Sequence, residues 1–162
     1  MCYFNYKEEE SNKTTEKLHE LLKINAHDEI IKIYNKIQEK DRTSEQTRCL
    51  VASLILLNRM DEARLLLDKW ANVGKNDVQW NTQFGWTYYL ERKYKEAIKY
   101  FDRVEDLDPR DTTMLSYLRE CNEEIGNKEE VKRIKNWIKE INTIKETGEK
   151  YKKENYYKNK SK

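Results

Sequence analysis

A single proline, Pro109, and four glycines are nearly all that 162 residues offer to interrupt a helix. These two residue types cost most in a helix interior, and the chain is otherwise rich in Lys, Glu, Leu, Ile and Arg, so the composition favours helix. Cysteine is scarce too. Cys2, Cys49 and Cys121 are odd in number, widely spaced and without a C-x-x-C pair, which argues against a disulfide framework and for a reducing compartment. The longest apolar run, Cys49 to Leu57, is too short to cross a bilayer and is interrupted by Ser53. The N-terminus, MCYFNYKEEE, lacks the basic and long apolar regions of a signal peptide, so the expected location is cytoplasmic. A net charge of +2 predicts no polyanion partner.

Catalytic patterns are missing as well. No G-x-x-x-x-G-K-[ST], G-x-G-x-x-G or G-x-S-x-G occurs. His19 and His27 form no H-E-x-x-H and read as surface residues rather than metal ligands, and the thiols Cys49 and Cys121 lie on apolar stretches as small hydrophobes. The chain is therefore expected to be no enzyme, with no catalytic residue, metal or cofactor.

What the chain does have is a repeat. Ala63, Ala97 and Val131 are spaced 34 residues apart, as are Leu66, Tyr100 and Ile134, then Trp70, Val104 and Ile138. Leu50, Phe84 and Leu118 form another such column half a repeat earlier. Self-similarity at this period points to stacked supersecondary units. Apolar spacing of three and four predicts helices over 14–24, 28–40, 44–57, 61–72, 78–91, 95–107, 112–125 and 128–146, with short connections that fold each back on its predecessor. Asp61, Asp77 and Asp111 stand where N-caps belong, Pro109 ends a helix, and Gly126-Asn127 breaks the last pair.

The segment from Trp80 to Pro109, WNTQFGWTYYLERKYKEAIKYFDRVEDLDP, resembles a tetratricopeptide repeat (TPR), a helix–turn–helix unit of 34 residues. Phe84, Gly85 and Tyr88 match its large–small–aromatic positions, and Ala97, Phe101 and Pro109 match the second helix and its stop. The stretch from Ser44 keeps Leu50, Leu54, Ala63 and Leu67 but has Val51 where the glycine belongs. The outer units match less well, and polar Arg119, Asn122 and Lys135 in the last suit a capping unit.

The resemblance implies an all-α, right-handed solenoid of about four antiparallel helix pairs. Its repeats fall near 14–43, 44–77, 78–111 and 112–141, between a flexible segment at 1–13 and a lysine-rich extension and tail at 142–162. It also implies a non-enzymatic adaptor or scaffold that holds a protein or peptide in a concave groove lined by the first helix of each pair. Carried over, the lining includes Arg48, Cys49, Gln79, Gln83, Trp86, Tyr89, Tyr117 and Glu120. The aromatics are of the type enriched at binding hot spots, and packing against neighbouring helices is the competing role for Trp86 and Tyr89. A clamp for a C-terminal carboxylate is disfavoured, because its positions hold Arg48, Ala52, Gln83, Thr113 and Tyr117 and supply no cationic cradle. Two alternatives remain: self-association as a homo-oligomer through the solenoid ends, by Trp137 and Ile138 or by the poorly matching first repeat, and polyanion binding by the tail from Gly148, with six Lys against two Glu. Neither a membrane nor a nucleic acid is an expected partner.

Overall fold

The computed structural model describes residues 2–147, with the side chains of 8–72 and 74–146. The lysine-rich tail from Gly148 lies outside the described residues. Among the described residues every regular element is a helix, an all-α architecture. None of these helices is long and apolar enough to cross a membrane. The chain divides into two compact units, Met1–Asn72 and Val73–Lys162.

In the first unit, α1 (Cys2–Lys23), α2 (His27–Lys36), α3 (Ser44–Leu56) and α4 (Met60–Lys69) follow one another, with a single 3-10 turn at Glu39–Asp41. A short helix, α5 (Ala71–Gly74), follows α4. α1 starts at Cys2, well before the helix expected from residue 14, and one reason is a buried amide. Gln46 is 1 % exposed, and its Nε2 donates to Ser11 Oγ and Thr15 Oγ1, both at 3.2 Å, and to the Ser11 carbonyl at 3.3 Å. A buried amide must find such partners, so this contact fixes the upstream turns of α1 against α3. Leu18, Ile30 and Cys49 close the core between α1, α2 and α3.

The helices of this unit alternate in direction. The Tyr34 and Thr47 hydroxyls meet at 2.9 Å, and His27 lies 3.4 Å from Ser53, so α2 runs antiparallel to α3. Ser11 reaches Gln46 while His19 reaches Cys49, so α1 and α3 run parallel. α3 opens on a capping box, Thr43 accepting from the Gln46 N–H and Gln46 from the Thr43 N–H. Asp61 does not cap α4 as its position suggests. The helix begins one residue earlier at Met60, which is 4 % exposed, and Asp61 pairs with Arg64. Burial of Met60 outweighs the exposed cap.

The second unit contains α6 (Val78–Tyr89), α7 (Tyr94–Leu107), α8 (Thr112–Glu124) and α9 (Lys128–Thr147). Here the expected caps are present: Asp77 accepts from the Trp80 N–H, and Asp111 from the N–H groups of Thr113 and Met114. Tyr89 lies beside Tyr94 while Trp80 lies beside Tyr100, so α6 and α7 are antiparallel. Phe101, Leu115, Leu118, Ile134 and Ile141 fill the core. Gly85 sits against Phe101: a Cβ there would stand 2.4 Å from the ring, so the small residue permits the close approach of α6 and α7.

α9 is joined to α7 and to the turn that follows it by polar contacts at an offset of 28 residues. Arg133, 14 % exposed, forks both guanidinium nitrogens onto Glu105 at 2.8 Å each, and Glu105 is itself only 1 % exposed in its side chain. Trp137 donates its indole N–H to the Pro109 carbonyl at 2.6 Å and is 3 % exposed. Trp137 is therefore a core residue rather than the end-surface contact suggested for self-association.

The turn inside each helix pair follows one pattern. Asn25 and Asn58 in the first unit, and Arg92 and Gly126 in the second, all have φ between 56° and 77°. At each, the following residue donates back five positions, as in Ala26 to Leu21, Arg59 to Leu54, Lys93 to Tyr88 and Asn127 to Asn122. This is the Schellman arrangement, which satisfies carbonyls left over at a helix end. The helix starts keep step with it: Ser44, Val78 and Thr112 are 34 apart, as are Met60, Tyr94 and Lys128.

Candidate partner-binding surface

Six of the eight residues expected at a binding groove lie on α6 and α8 of the second unit. These parallel helices meet through a ladder of contacts. Thr82 reaches the Met114 sulfur at 3.7 Å. Further along, the Trp86 and Tyr117 rings lie 4.5 Å apart between centroids, and Tyr89 and Tyr117 lie 5.4 Å apart. Trp86 and Tyr89 meet edge to face at 5.3 Å. These geometries suit the ring quadrupoles, with an edge of one ring toward the face of another.

Glu120 completes the patch. It is exposed and accepts from the Tyr89 hydroxyl at 2.8 Å. Burial, followed by this bond to a carboxylate, raises the Tyr89 phenol above its usual range, so it stays a donor at any physiological pH. Gln79 is exposed one helical turn before Gln83, which is half-buried. Each of the three rings is half-buried, packed on its fellows and on Phe101, with part of its surface in solvent.

The remaining two groove candidates belong to the first unit. Arg48 is held by Glu45 of its own helix. Cys49 is 2 % exposed, so its side chain serves the core and offers a partner nothing. Burial pushes its thiol upward, against the opposing influence of Arg48.

Neither a protein-family model nor a curated protein sequence matches this chain. The TPR resemblance thus rests on the residues quoted for it alone.

Two features escaped the sequence reading because they join distant residues. His19 of α1 meets Glu45 and Cys49 of α3, its Nε2 lying 3.0 Å from Glu45 and its Nδ1 3.8 Å from the Cys49 sulfur. Only the spacing of four between Glu45 and Cys49, which puts both on one helix face, hinted at it. The other is an open cleft of about 490 Å³ between α8 and α9, lined by Arg119, Lys135, Lys139, Asn142 and Glu146 among others. Its cations are partly engaged: Lys135 pairs with Glu123 at 2.9 Å and holds that carboxyl below its usual range.

Proposed function

We propose that this chain is a non-enzymatic interaction module of the TPR type, a right-handed solenoid of about four antiparallel helix pairs that binds a peptide segment along a groove. The observation that carries the reading is the convergence of Trp86, Tyr89, Tyr117 and Glu120 on the α6–α8 side of the second unit. Four turns of one geometry, with helix starts at a step of 34, support the repeat assignment. The function follows from the chemistry of the patch. Rigid rings present amphipathic surface at little entropic cost, because their rotamers are already fixed by mutual packing. Glu120 supplies a negative charge beside them, and Gln79 an amide able to pair with an extended backbone. The ligand that fits is a peptide with an apolar or aromatic anchor next to a basic side chain, the latter attracted by both the carboxylate and the ring faces.

Selection from a random peptide library against the full chain tests this. Enriched peptides are expected to share a Lys or Arg beside an apolar residue. They should lose at least about tenfold in affinity toward Glu120→Lys, whose charge is reversed at an exposed position. Trp86→Ala with Tyr89→Ala should lose binding while retaining helicity by circular dichroism. Repeated rounds without enrichment, or enriched peptides that bind Glu120→Lys as tightly as wild type, would sink the proposal.

A further inference from the structure

The trio His19, Glu45 and Cys49 in the first unit is unlike its surroundings. One imidazole, one carboxylate and one thiol, from two parallel helices, bring their donor atoms within 4.8 Å of one another. The environment is asymmetric. Cys49 is buried at 2 % exposure, whereas the side chains of His19 and Glu45 are 46 % and 36 % exposed. The cluster thus joins a buried sulfur to two partly exposed polar side chains.

Two kinds of chemistry use a thiol, an imidazole and a carboxylate in contact. The first is nucleophilic catalysis, with the carboxylate orienting the imidazole and the imidazole activating the thiol. It requires a thiol that a substrate can reach, and Cys49 is covered. The second is coordination of a borderline-soft divalent cation, for which thiolate, imidazole and carboxylate are the usual ligands. This asks only that a small ion enter, and the exposed side chains leave it a path.

We propose that His19, Glu45 and Cys49 form a binding site for a divalent cation of the zinc class, with water in the fourth position, that clasps α1 to α3. A tetrahedral zinc with bonds of about 2.0–2.3 Å holds its donors about 3.3–3.8 Å apart. The trio must therefore close by up to roughly 1 Å to reach that geometry. Rotation of the two exposed side chains supplies this movement while the buried sulfur stays in place. The imidazole at present uses Nε2 toward Glu45 and Nδ1 toward Cys49. The ion takes one ring nitrogen, so a coordinate bond replaces one of these contacts, and the thiol releases its proton to solvent as the sulfur ligates. The charges then balance: a dication meets one thiolate and one carboxylate. Arg48, paired with Glu45, holds that carboxylate on its own helix in the manner of an outer-shell partner.

The other close cluster of acids, Asp102, Glu105 and Glu130, is a poor comparison. Arg133 already stands among these carboxylates, bonded to Glu105 and Glu130, and occupies the place of a cation.

The test is a titration of the reduced, chelator-treated full chain with Co²⁺, whose thiolate complexes show a sulfur-to-metal charge-transfer band. Wild type is expected to develop that band and visible d–d bands at one equivalent, and Zn²⁺ should abolish both by displacement. Cys49→Ser should remove the charge-transfer band, and Cys121→Ser should retain it. His19→Ala, at a half-exposed position tolerant of change, should weaken Co²⁺ binding by at least about tenfold. If Cys49→Ser fails to fold by circular dichroism, His19→Ala decides the matter. The site is refuted if wild type gives no thiolate band at saturating Co²⁺, if the band survives in folded Cys49→Ser, or if His19→Ala binds as wild type does.

Discussion

Replacing Gly85 with alanine sets two effects of opposite sign against each other, and the structure says which wins. In an open helix, Gly→Ala stabilises by about 1 kcal/mol, because alanine loses less backbone freedom. At Gly85 the new methyl would stand 2.4 Å from Cε1 and 2.6 Å from Cδ1 of Phe101. Carbon atoms prefer separations of about 3.5–4.0 Å, so ring or helix must shift by about 1 Å. Phe101 is 1 % exposed and belongs to a filled core, so the ring has nowhere to swing. Overpacking of this kind costs about 1–3 kcal/mol, and a contact this short belongs at the upper end. The expected net effect of Gly85→Ala is a destabilisation of about 1–2 kcal/mol once the propensity gain is subtracted. Urea unfolding should show it as a lower midpoint at unchanged slope. Phe101→Leu shortens the obstructing ring, so the double variant should lose less than the sum of the singles, with a favourable coupling of about 0.5–3 kcal/mol. A Gly85→Ala variant more stable than wild type would refute the close approach of α6 and α7, and with it the register assigned to Phe84, Gly85 and Phe101.

Further outcomes follow from other sites. Arg92→Gly should raise stability by a few tenths to about 1 kcal/mol in the same urea assay, since arginine holds φ at 58° where only glycine is at ease. Arg133→Met should cost about 3–5 kcal/mol by leaving Glu105 buried and charged, whereas Glu105→Leu with Arg133→Met should restore most of that loss; equal costs would refute the pairing. Burial, with Glu120 adding to it, pushes the Cys121 thiol from 9.0 up to about 12. The neutral thiol is the form the fold favours, so this contribution is complete below pH 9 and is lost as pH rises through the folded value. Native Cys121 should accordingly resist alkylation at pH 9 and react promptly in urea, and rapid labelling at Cys121 itself, located by peptide mapping, would contradict its burial.

Much of the fold was legible because burial repeats with the helix period. In the columns that located the helix pairs, Ala63, Ala97, Leu50, Phe84 and Leu118 turn out buried, and Val131 half-buried. Asp77 and Asp111 were readable as caps because a short acidic side chain before an apolar turn has one obvious use. The left-handed turns were readable only in part. Gly126, Asn25 and Asn58 are of the types that take positive φ at helix ends, whereas Arg92 gives no such signal. The start of α1 was missed because a polar stretch shows no apolar period, and its anchor is a side chain 35 residues away. At the candidate surface, the repeat register put Trp86, Tyr89, Tyr117 and Glu120 on helices whose side chains meet. It misplaced the usefulness of Cys49, because position in a repeat says which way a helix face turns and not how deeply a neighbour covers it.

The uneven placing of the tryptophans gives this protein a built-in two-channel reporter. Trp70 alone falls in the unit Met1–Asn72, whereas Trp80, Trp86 and Trp137 fall in Val73–Lys162. Indole emission is therefore weighted toward the second unit, while backbone ellipticity samples helices in both. Replacing Trp70 with phenylalanine would make the emission a signal from the second unit only. Any gap between the two unfolding curves would then measure, without an added label, how far the halves of the chain melt as separate bodies.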